Sequence, residues 1–334
     1  METFSYQRAA DPEAAIAALA GDPRAAFIAG GTELVNWMKE GIQSPRSLID
    51  INDLPLAEIA AGEDGLRLGA LARMSDVAAH PAVRRGWPAV AEALELAASP
   101  QLRNMASMGG NLLQRTRCLY FRAETALPCN KRTPGSGCAA LHGEHRAGAI
   151  FGWSEACVAT HPSDVAVPLV ALDARLRLRG PRGERVLAIA ELWRLPGEQP
   201  ERDTTLDHGE LIVAIEVPAS PAARRSRYLK VRERSSYEFA LVSAAAALDL
   251  DGGEGAGGGR IRDARLALGG VAAKPWRQPE VEARLRGAPL SLEGLRAAVA
   301  EGFGEARSLP GNGFKIELAR RAAVRALAMA GGLA

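Results

Sequence analysis

The chain has 334 residues, 47% of them apolar, which is length and oil enough for two or three domains with ample core. Its 41 basic side chains nearly cancel 39 acidic ones, and a net charge of +2 excludes the global field that signals nucleic-acid binding. No apolar run approaches bilayer-spanning length and the N-terminus lacks the layout of an export signal, so the expectation is a cytoplasmic chain without membrane insertion.

In chain order, Asp11-Pro12-Glu13 reads as an N-cap, a first-turn proline and a first-turn acid; Ile16 and Leu19 give the apolar face and Gly21 the stop. A strand over 25–29 breaks into Gly30-Gly31-Thr32-Glu33-Leu34, a helix follows over 32–40, and 47–51 is a second strand. Two glycines at a strand-to-helix turn let backbone N–H groups approach a phosphate with no Cβ in the way, and the helix start favours its charge. A ligand-free tight turn is the plainer alternative. A dinucleotide-binding Rossmann unit is rejected: Asp50 stands where a ribose acid belongs, but Gly-x-Gly-x-x-Gly is missing.

Strands over 56–61 and 66–70 flank the turn Glu63-Asp64-Gly65, and helices follow near 75–79 and 89–98. Gly109-Gly110-Asn111 is a second glycine-rich turn. Far downstream, Ser163 caps a helix over 164–172 and Asp164 favours its positive end, and capping alone would explain both residues. A hairpin (174–179, 185–188), a strand (210–217) and a Pro/Ser/Arg-rich boundary (219–225) come next. Strands over 227–232, 239–250 and 260–271, the last two joined by a flexible stretch over 252–259, lead to three helices. These are 279–286, 292–303 with Ser291 as N-cap, and 316–330, so the C-terminal third reads as a sheet with helices.

Between the second turn and Ser163 lies a loop of about fifty residues that holds all four cysteines: Cys118, Cys129, Cys138 and Cys157, separated by ten, eight and eighteen residues. A loop that long inside a compact domain needs a hold other than its own core. Two disulfides suit a small secreted domain better than this chain. A zinc site lacks its usual close Cys-x-x-Cys knuckle, although His142 and His145 leave a mixed Cys/His site open. Iron–sulfur clusters accept all-cysteine ligation with more varied spacing, because the cluster is larger than one ion. Arg115, Arg117, Arg122, Lys131 and Arg132 crowd the same loop; a solvated basic face is the default reading, offsetting cluster charge or docking a partner the alternatives.

Six motifs in register carry a resemblance along nearly the whole chain. They are Ala29-Gly30-Gly31-Thr32, Ser107 to Asn111, Pro162-Ser163-Asp164 leading into Ala171-Leu172-Asp173-Ala174, Glu210-Leu211-Ile212-Val213, Tyr228-Leu229-Lys230-Val231-Arg232 and Phe314-Lys315-Ile316-Glu317-Leu318-Ala319. In these the chain resembles the flavin-binding (medium) subunit of molybdenum hydroxylases, the xanthine dehydrogenase and aldehyde oxidoreductase family. The cysteine loop, through Gln114-Arg115-Thr116-Arg117-Cys118 and the run Pro128 to Cys138, is most similar to the aldehyde-oxidising branch with an additional 4Fe–4S cluster.

The resemblance implies an α+β fold: a two-part FAD-binding domain of the vanillyl-alcohol-oxidase/PCMH type plus a C-terminal domain of antiparallel sheet and helices. The divisions would be 1–55, 56–220 with an iron–sulfur insertion over 112–160, and 224–332. It implies that Ala26, Phe27, Ile28, Ala29, Gly30, Gly31, Thr32, Glu33 and Leu34 wrap the FAD diphosphate, with Ser107, Met108, Gly110, Asn111 and Gln114 as a second cradle. Ser163 and Asp164 would bond the ribityl or ribose side, Ile212 and Val213 would pack on the adenine or ring region, and Lys230 would approach the isoalloxazine. Cys118, Cys129, Cys138 and Cys157 would ligate the 4Fe–4S cluster.

No residue here would catalyse substrate oxidation. The partners implied are a molybdenum-cofactor large subunit and a 2Fe–2S small subunit, with electrons leaving through FAD to an external acceptor. Co-export with a signal-bearing partner would place the complex in the periplasm. The alternatives are a flavin subunit like that of 4-hydroxybenzoyl-CoA reductases and a free-standing flavin oxidoreductase. In one respect the chain departs from NAD-reducing relatives: where they carry an aromatic ring, it has Ala97 and Ala98.

Overall fold

The computed structural model describes residues 1–251 and 259–333. The first elements are β1 (Ser5–Arg8), α1 (Pro12–Ala20), β2 (Ala25–Ile28), α2 (Leu34–Lys39) and β3 (Ser47–Asp50), and the strands form a parallel sheet in the order β1-β3-β2. Asp11 caps α1 as the sequence predicts, its side chain accepting from Ala14 N–H at 2.7 Å. Strand β1 has no sequence forecast because all four of its residues are exposed and show no alternation. Helix α2 is shorter than expected, since Gly31 takes a left-handed φ of 69° and the helix starts only after the turn.

The middle of the chain supplies β4 (Ile59–Gly62), β5 (Gly65–Gly69), α3 (Met74–Ala79), α4 (Pro81–Gly86), α5 (Pro88–Leu96), α6 (Pro100–Met105), α7 (Met108–Leu112) and α8 (Ala166–Ala171), then β6 (Arg175–Gly180), β7 (Gly183–Ala188) and β8 (Leu211–Pro218). Its five strands make an antiparallel sheet ordered β4-β5-β8-β6-β7. Pro81 and Pro100 sit at first-turn positions, where a missing N–H costs nothing, and so begin the two short helices that the sequence pattern leaves unassigned. Helix α8 begins two residues later than the forecast. Ser163 Oγ does cap it, accepting from Ala166 N–H at 3.2 Å.

The last third holds β9 (Ser226–Val231), β10 (Val242–Leu250), β11 (Ile261–Gly269), β12 (Trp276–Arg277), α9 (Pro279–Leu285), α10 (Leu292–Glu301) and α11 (Phe314–Gly331), with the antiparallel order β12-β11-β10-β9. Ser291 caps α10 as forecast, through Gly294 N–H at 3.0 Å. Of the stretch forecast as flexible, residues 252–258 lie outside the described residues.

Strand β10 explains how the halves join. Ala245 and Ala247 point into the core beneath the five-stranded sheet, while Val242, Ala244, Ala246 and Leu248 point into the core under α11. Period-two alternation therefore sends one strand's side chains to two cores, and alanine leaves room for close packing on both faces. On α11, Ala319, Ala322, Ala323, Ala326 and Leu327 recur at helical spacing and bury one stripe against that sheet, Leu327 alone contributing about 2 kcal/mol. No helix among the described residues is long and apolar enough to cross a membrane.

Candidate functional site

A cavity of about 580 Å³ opens between the two glycine turns, a volume suited to a large organic cofactor. Strand β2 and its turn contribute Ala26 through Leu34 to the wall, and the turn into α7 contributes Ser107, Gly110, Asn111 and Gln114. The turns are locked together by backbone contact. A Cβ on Gly30 would stand 1.9 Å from the Met105 carbonyl oxygen, so only glycine permits this approach. Asn52 Nδ2 donates to Ala29 O at 3.0 Å and accepts on Oδ1 from Arg73 at 2.9 Å, which ties the first turn to the second.

Asp164 and Ile212 also line the cavity, but four residues expected at the ligand are not part of its lining. Met108 is fully buried in core, because α7 turns its side chain away from the opening. Val213 alternates away from Ile212 into the small N-terminal core. Ser163 Oγ donates to Asn111 Oδ1 at 2.6 Å, so it aims a wall residue rather than forming the wall. Lys230 stands behind Asp164. Its ammonium donates to Asp164 Oδ2 at 2.8 Å and to Leu96 O at 3.1 Å, and its side chain is only 1% exposed.

Asp164 is therefore a buried carboxyl with an assembled set of partners, since Tyr228 Oη donates to its Oδ1 at 2.6 Å. Burial pushes the Asp164 carboxyl up from the usual range, and Lys230 and Tyr228 pull against that shift. Burial, reinforced by the Asp164 charge, pushes the Tyr228 phenol well above its ordinary value. The pair presents an acceptor to the cavity with its counter-charge already in place.

Other wall residues carry no sequence signal. Arg234, Tyr237 and Phe239 reach the rim from the segment between β9 and β10. Arg117 and Arg122 come from the cysteine loop, and the Arg117 guanidinium lies 4.8 Å from the Phe239 ring centroid. Ala97 and Ala98 line the opposite side, with Ala98 at a left-handed φ of 46°. The two methyl side chains leave this side of the cavity open.

The four cysteines are unpaired and together line one small second cavity, walled also by Phe121, Lys131 and Val158. Cys129 and Cys138 face each other across an antiparallel bridge, and Cys157 sits on a tight turn with Ser154. Burial pushes the Cys157 thiol up to about 12 and raises Cys118 as well, so neither is a free thiolate at neutral pH. Among the described residues no three His, Cys, Asp or Glu side chains gather closely enough to hold a single metal ion. The histidines of the loop stand apart from the thiols: His142 is exposed, and His145 is held by Ala140 O at 3.0 Å and Gly311 N–H at 2.9 Å.

The basic residues of this loop are not a solvated face. Arg117 and Arg122 pair with Glu33, Arg122 also with Glu40, and Arg115 and Lys131 with Asp203. Burial alone would raise the Asp203 carboxyl, but Lys131 and Arg115 hold it below the usual carboxylate range. Arg132 donates to the carbonyls of Ala123, Glu40 and Gly41. Charge spent inside the molecule replaces the missing core of the loop.

With this geometry in view, likeness to known proteins is specific. Residues 2–220 match the family described as the FAD binding domain in molybdopterin dehydrogenase, and residues 227–328 match the CO dehydrogenase flavoprotein C-terminal domain. The chain is 46% identical over 332 residues, 99% of each sequence, to the aldehyde oxidoreductase FAD-binding subunit PaoB of Escherichia coli strain K12. It is 29% identical to the putative xanthine dehydrogenase FAD-binding subunit XdhB of the same strain, over 88% of this chain and 82% of that one. Among solved structures, a chain of the carbon monoxide dehydrogenase of Hydrogenophaga pseudoflava superposes with a TM-score of 0.74 at 26% identity, covering 99% of this chain and 98% of the other. An α+β chain matched by these two family models along nearly its whole length belongs to the FAD-binding medium subunits of the molybdenum hydroxylases.

Proposed function

We propose that this protein is the FAD-binding electron-transfer subunit of a molybdenum-dependent aldehyde oxidoreductase. On this reading it holds FAD between its two glycine turns and a 4Fe–4S cluster within its ring of four thiols. Its partners are a large subunit with the molybdenum cofactor and a small subunit with 2Fe–2S clusters. The observation that carries the aldehyde assignment is the end-to-end 46% identity to a subunit bearing that name, cysteine loop included. The fit to FAD rests on the cavity of about 580 Å³ lined by the backbone of both glycine turns.

When bound, FAD supplies the relay between the partner's one-electron centres and an external acceptor. The chain's own work is to hold and orient. Backbone N–H groups of the two turns would hold the diphosphate, and Asp164, fixed by Tyr228 and Lys230, would accept from hydroxyl groups of the ribityl or ribose side, with the Lys230 charge supporting that carboxylate.

A polynuclear iron cluster suits the second cavity. Four unpaired thiols, those of Cys129 and Cys157 buried, line a space in which, among the described residues, no three acid, thiol or imidazole groups crowd around a single point, and a cluster is larger than one ion. Cationic iron would also stabilise the thiolates that burial disfavours. Absorbance and elemental analysis of the purified complex test the reading: flavin, iron, acid-labile sulfide and molybdenum are expected together. Colourless protein, or zinc with no flavin, would sink it.

A further inference from the structure

Glu33 belongs to the nucleotide turn by position and to the cysteine loop by contact. It ends the sequence Gly30-Gly31-Thr32-Glu33 on the cavity wall and stands at the N-cap of α2, yet its side chain accepts nothing from that helix's own amides. Its Oε1 instead accepts from Arg115 N–H at 3.2 Å, Arg117 at 2.7 Å, Arg122 at 2.6 Å and the Trp37 indole at 3.0 Å. Oε2 accepts a second bond from Arg117, at 2.8 Å. Four donors, three of them from the cysteine loop, converge on this one oxygen.

The three donors from the loop flank Cys118, and its backbone is tied to theirs. Cys118 N–H donates to Thr116 Oγ1 at 3.2 Å, Arg122 N–H donates to Cys118 O at 3.0 Å, and Arg122 Nε donates to Thr116 O at 3.1 Å. Residues 115–122 therefore form one knot that carries Cys118 and hangs from Glu33, more than eighty positions away in sequence. The Glu33 side chain is only 16% exposed, so solvent screens this attachment little.

We propose that Glu33 is a positioning residue that couples the two cofactor sites: a ligand in the glycine turn orders the segment bearing Cys118, and a filled thiol ring orders the turn. This rests on the reading that the first cavity takes FAD and the second an iron–sulfur cluster. Its physical basis is a shared ordering cost. Fixing the turn fixes the Glu33 backbone and with it the target of both guanidiniums, so whichever group binds second finds part of that cost already met. The coupling is reciprocal, and the loss of one group weakens the other by the same factor.

The test is a double-mutant cycle on the purified full-length chain, read as the FAD dissociation constant. Cys129→Ser removes a thiol that lies outside the 115–122 segment and leaves the cluster one ligand short. In the parent chain it weakens FAD binding by about tenfold, within the usual range of coupled sites. In the Glu33→Gln background the same substitution has less than about threefold effect. Equal weakening in both backgrounds overturns the proposal. Arg117→Lys, which opens the clamp from the loop side, repeats the cycle if Glu33→Gln does not fold. Hydrogen exchange needs no variant at all: removing flavin from the parent chain lowers the protection of amides 115–122, and unchanged protection refutes the coupling. A parent chain that takes up no flavin or no iron fails the underlying functional reading instead, and that is visible before any variant is made.

Discussion

The glycine turns and the cysteine loop face one problem, holding irregular backbone around a ligand, and they solve it by opposite means. At Gly30 the hold is steric: the Met105 carbonyl occupies the place of a side chain, and hardly a charge is involved. In the cysteine loop the hold is ionic, with Glu33, Glu40 and Asp203 gathering Arg115, Arg117, Arg122 and Lys131. The first cradle is set by close approach of backbone to backbone at Gly30 and Met105. The second depends on pairs whose partners come from distant parts of the chain, and so it responds to what the thiols hold. The two regions should then fail differently under substitution.

The largest effect is expected where sterics rule. Gly30→Ala places a methyl group 1.9 Å from Met105 O and 2.6 Å from its carbon, and backbone cannot yield as a flexible side chain would. Flavin content should fall to near zero and stability by about 3 kcal/mol, measured by absorbance and denaturant unfolding. Full flavin occupancy in this variant would break the steric half of the contrast. The ionic half is tested by Asp203→Asn, which strips the counter-charge from Lys131, a side chain only 5% exposed whose ammonium also donates to Pro200 O at 2.6 Å. The expected cost is about 3 kcal/mol at low salt, with iron lost before flavin. Simultaneous loss of both would show that the loop is not a separable unit.

A smaller effect depends on pH. His161 is buried, its ring centroid 4.8 Å from that of Trp193 and its Nε2 without a partner among the described residues. Burial lowers its pKa from 6.5 to about 3, against the weaker opposing pull of Asp203. Between those values the unfolded chain takes up a proton that the folded chain refuses. Stability from this residue is thus complete above pH 6.5 and is lost as pH falls through the window, by about 2 kcal/mol at pH 5. His161→Phe, which keeps a ring beside Trp193, should flatten that part of the stability–pH curve. Parallel curves for parent and variant between pH 7 and 5 would remove His161 from the account.

Much of the steric cradle was legible in the sequence. Adjacent glycines after an apolar strand mark the turn, and Asp11, Ser163 and Ser291 each cap as their local chemistry dictates, since these signals act within three or four residues. The ionic cradle was not. Glu33 looks like one more residue of a nucleotide turn until Arg117 and Arg122 arrive, and no local pattern announces a partner that far along the chain. The pairing of Lys230 is hidden for the same reason, since Asp164, which takes its ammonium, lies sixty-six positions earlier. The rim segment with Tyr237 and Phe239 reaches the cavity only through the docking of the C-terminal sheet, and nothing in its composition marks it.

The smallest effect concerns a residue on the open side of the cavity. Ala98 adopts φ 46°, a region that costs an L-residue about 1–2 kcal/mol. It is held there from both sides, as Lys230 and Arg232 donate to Leu96 O and Arg103 donates to Ala97 O at 2.7 Å. Ala98→Gly removes the strain but adds freedom to the unfolded chain, at a cost of about 0.4–1 kcal/mol. The net gain should be roughly 0.5 kcal/mol, read as a slight rise in melting temperature with flavin content unchanged. A loss of flavin instead would mean that the Ala98 methyl touches the cofactor, and the open side of the cavity would then belong to the binding surface rather than to the path of the acceptor.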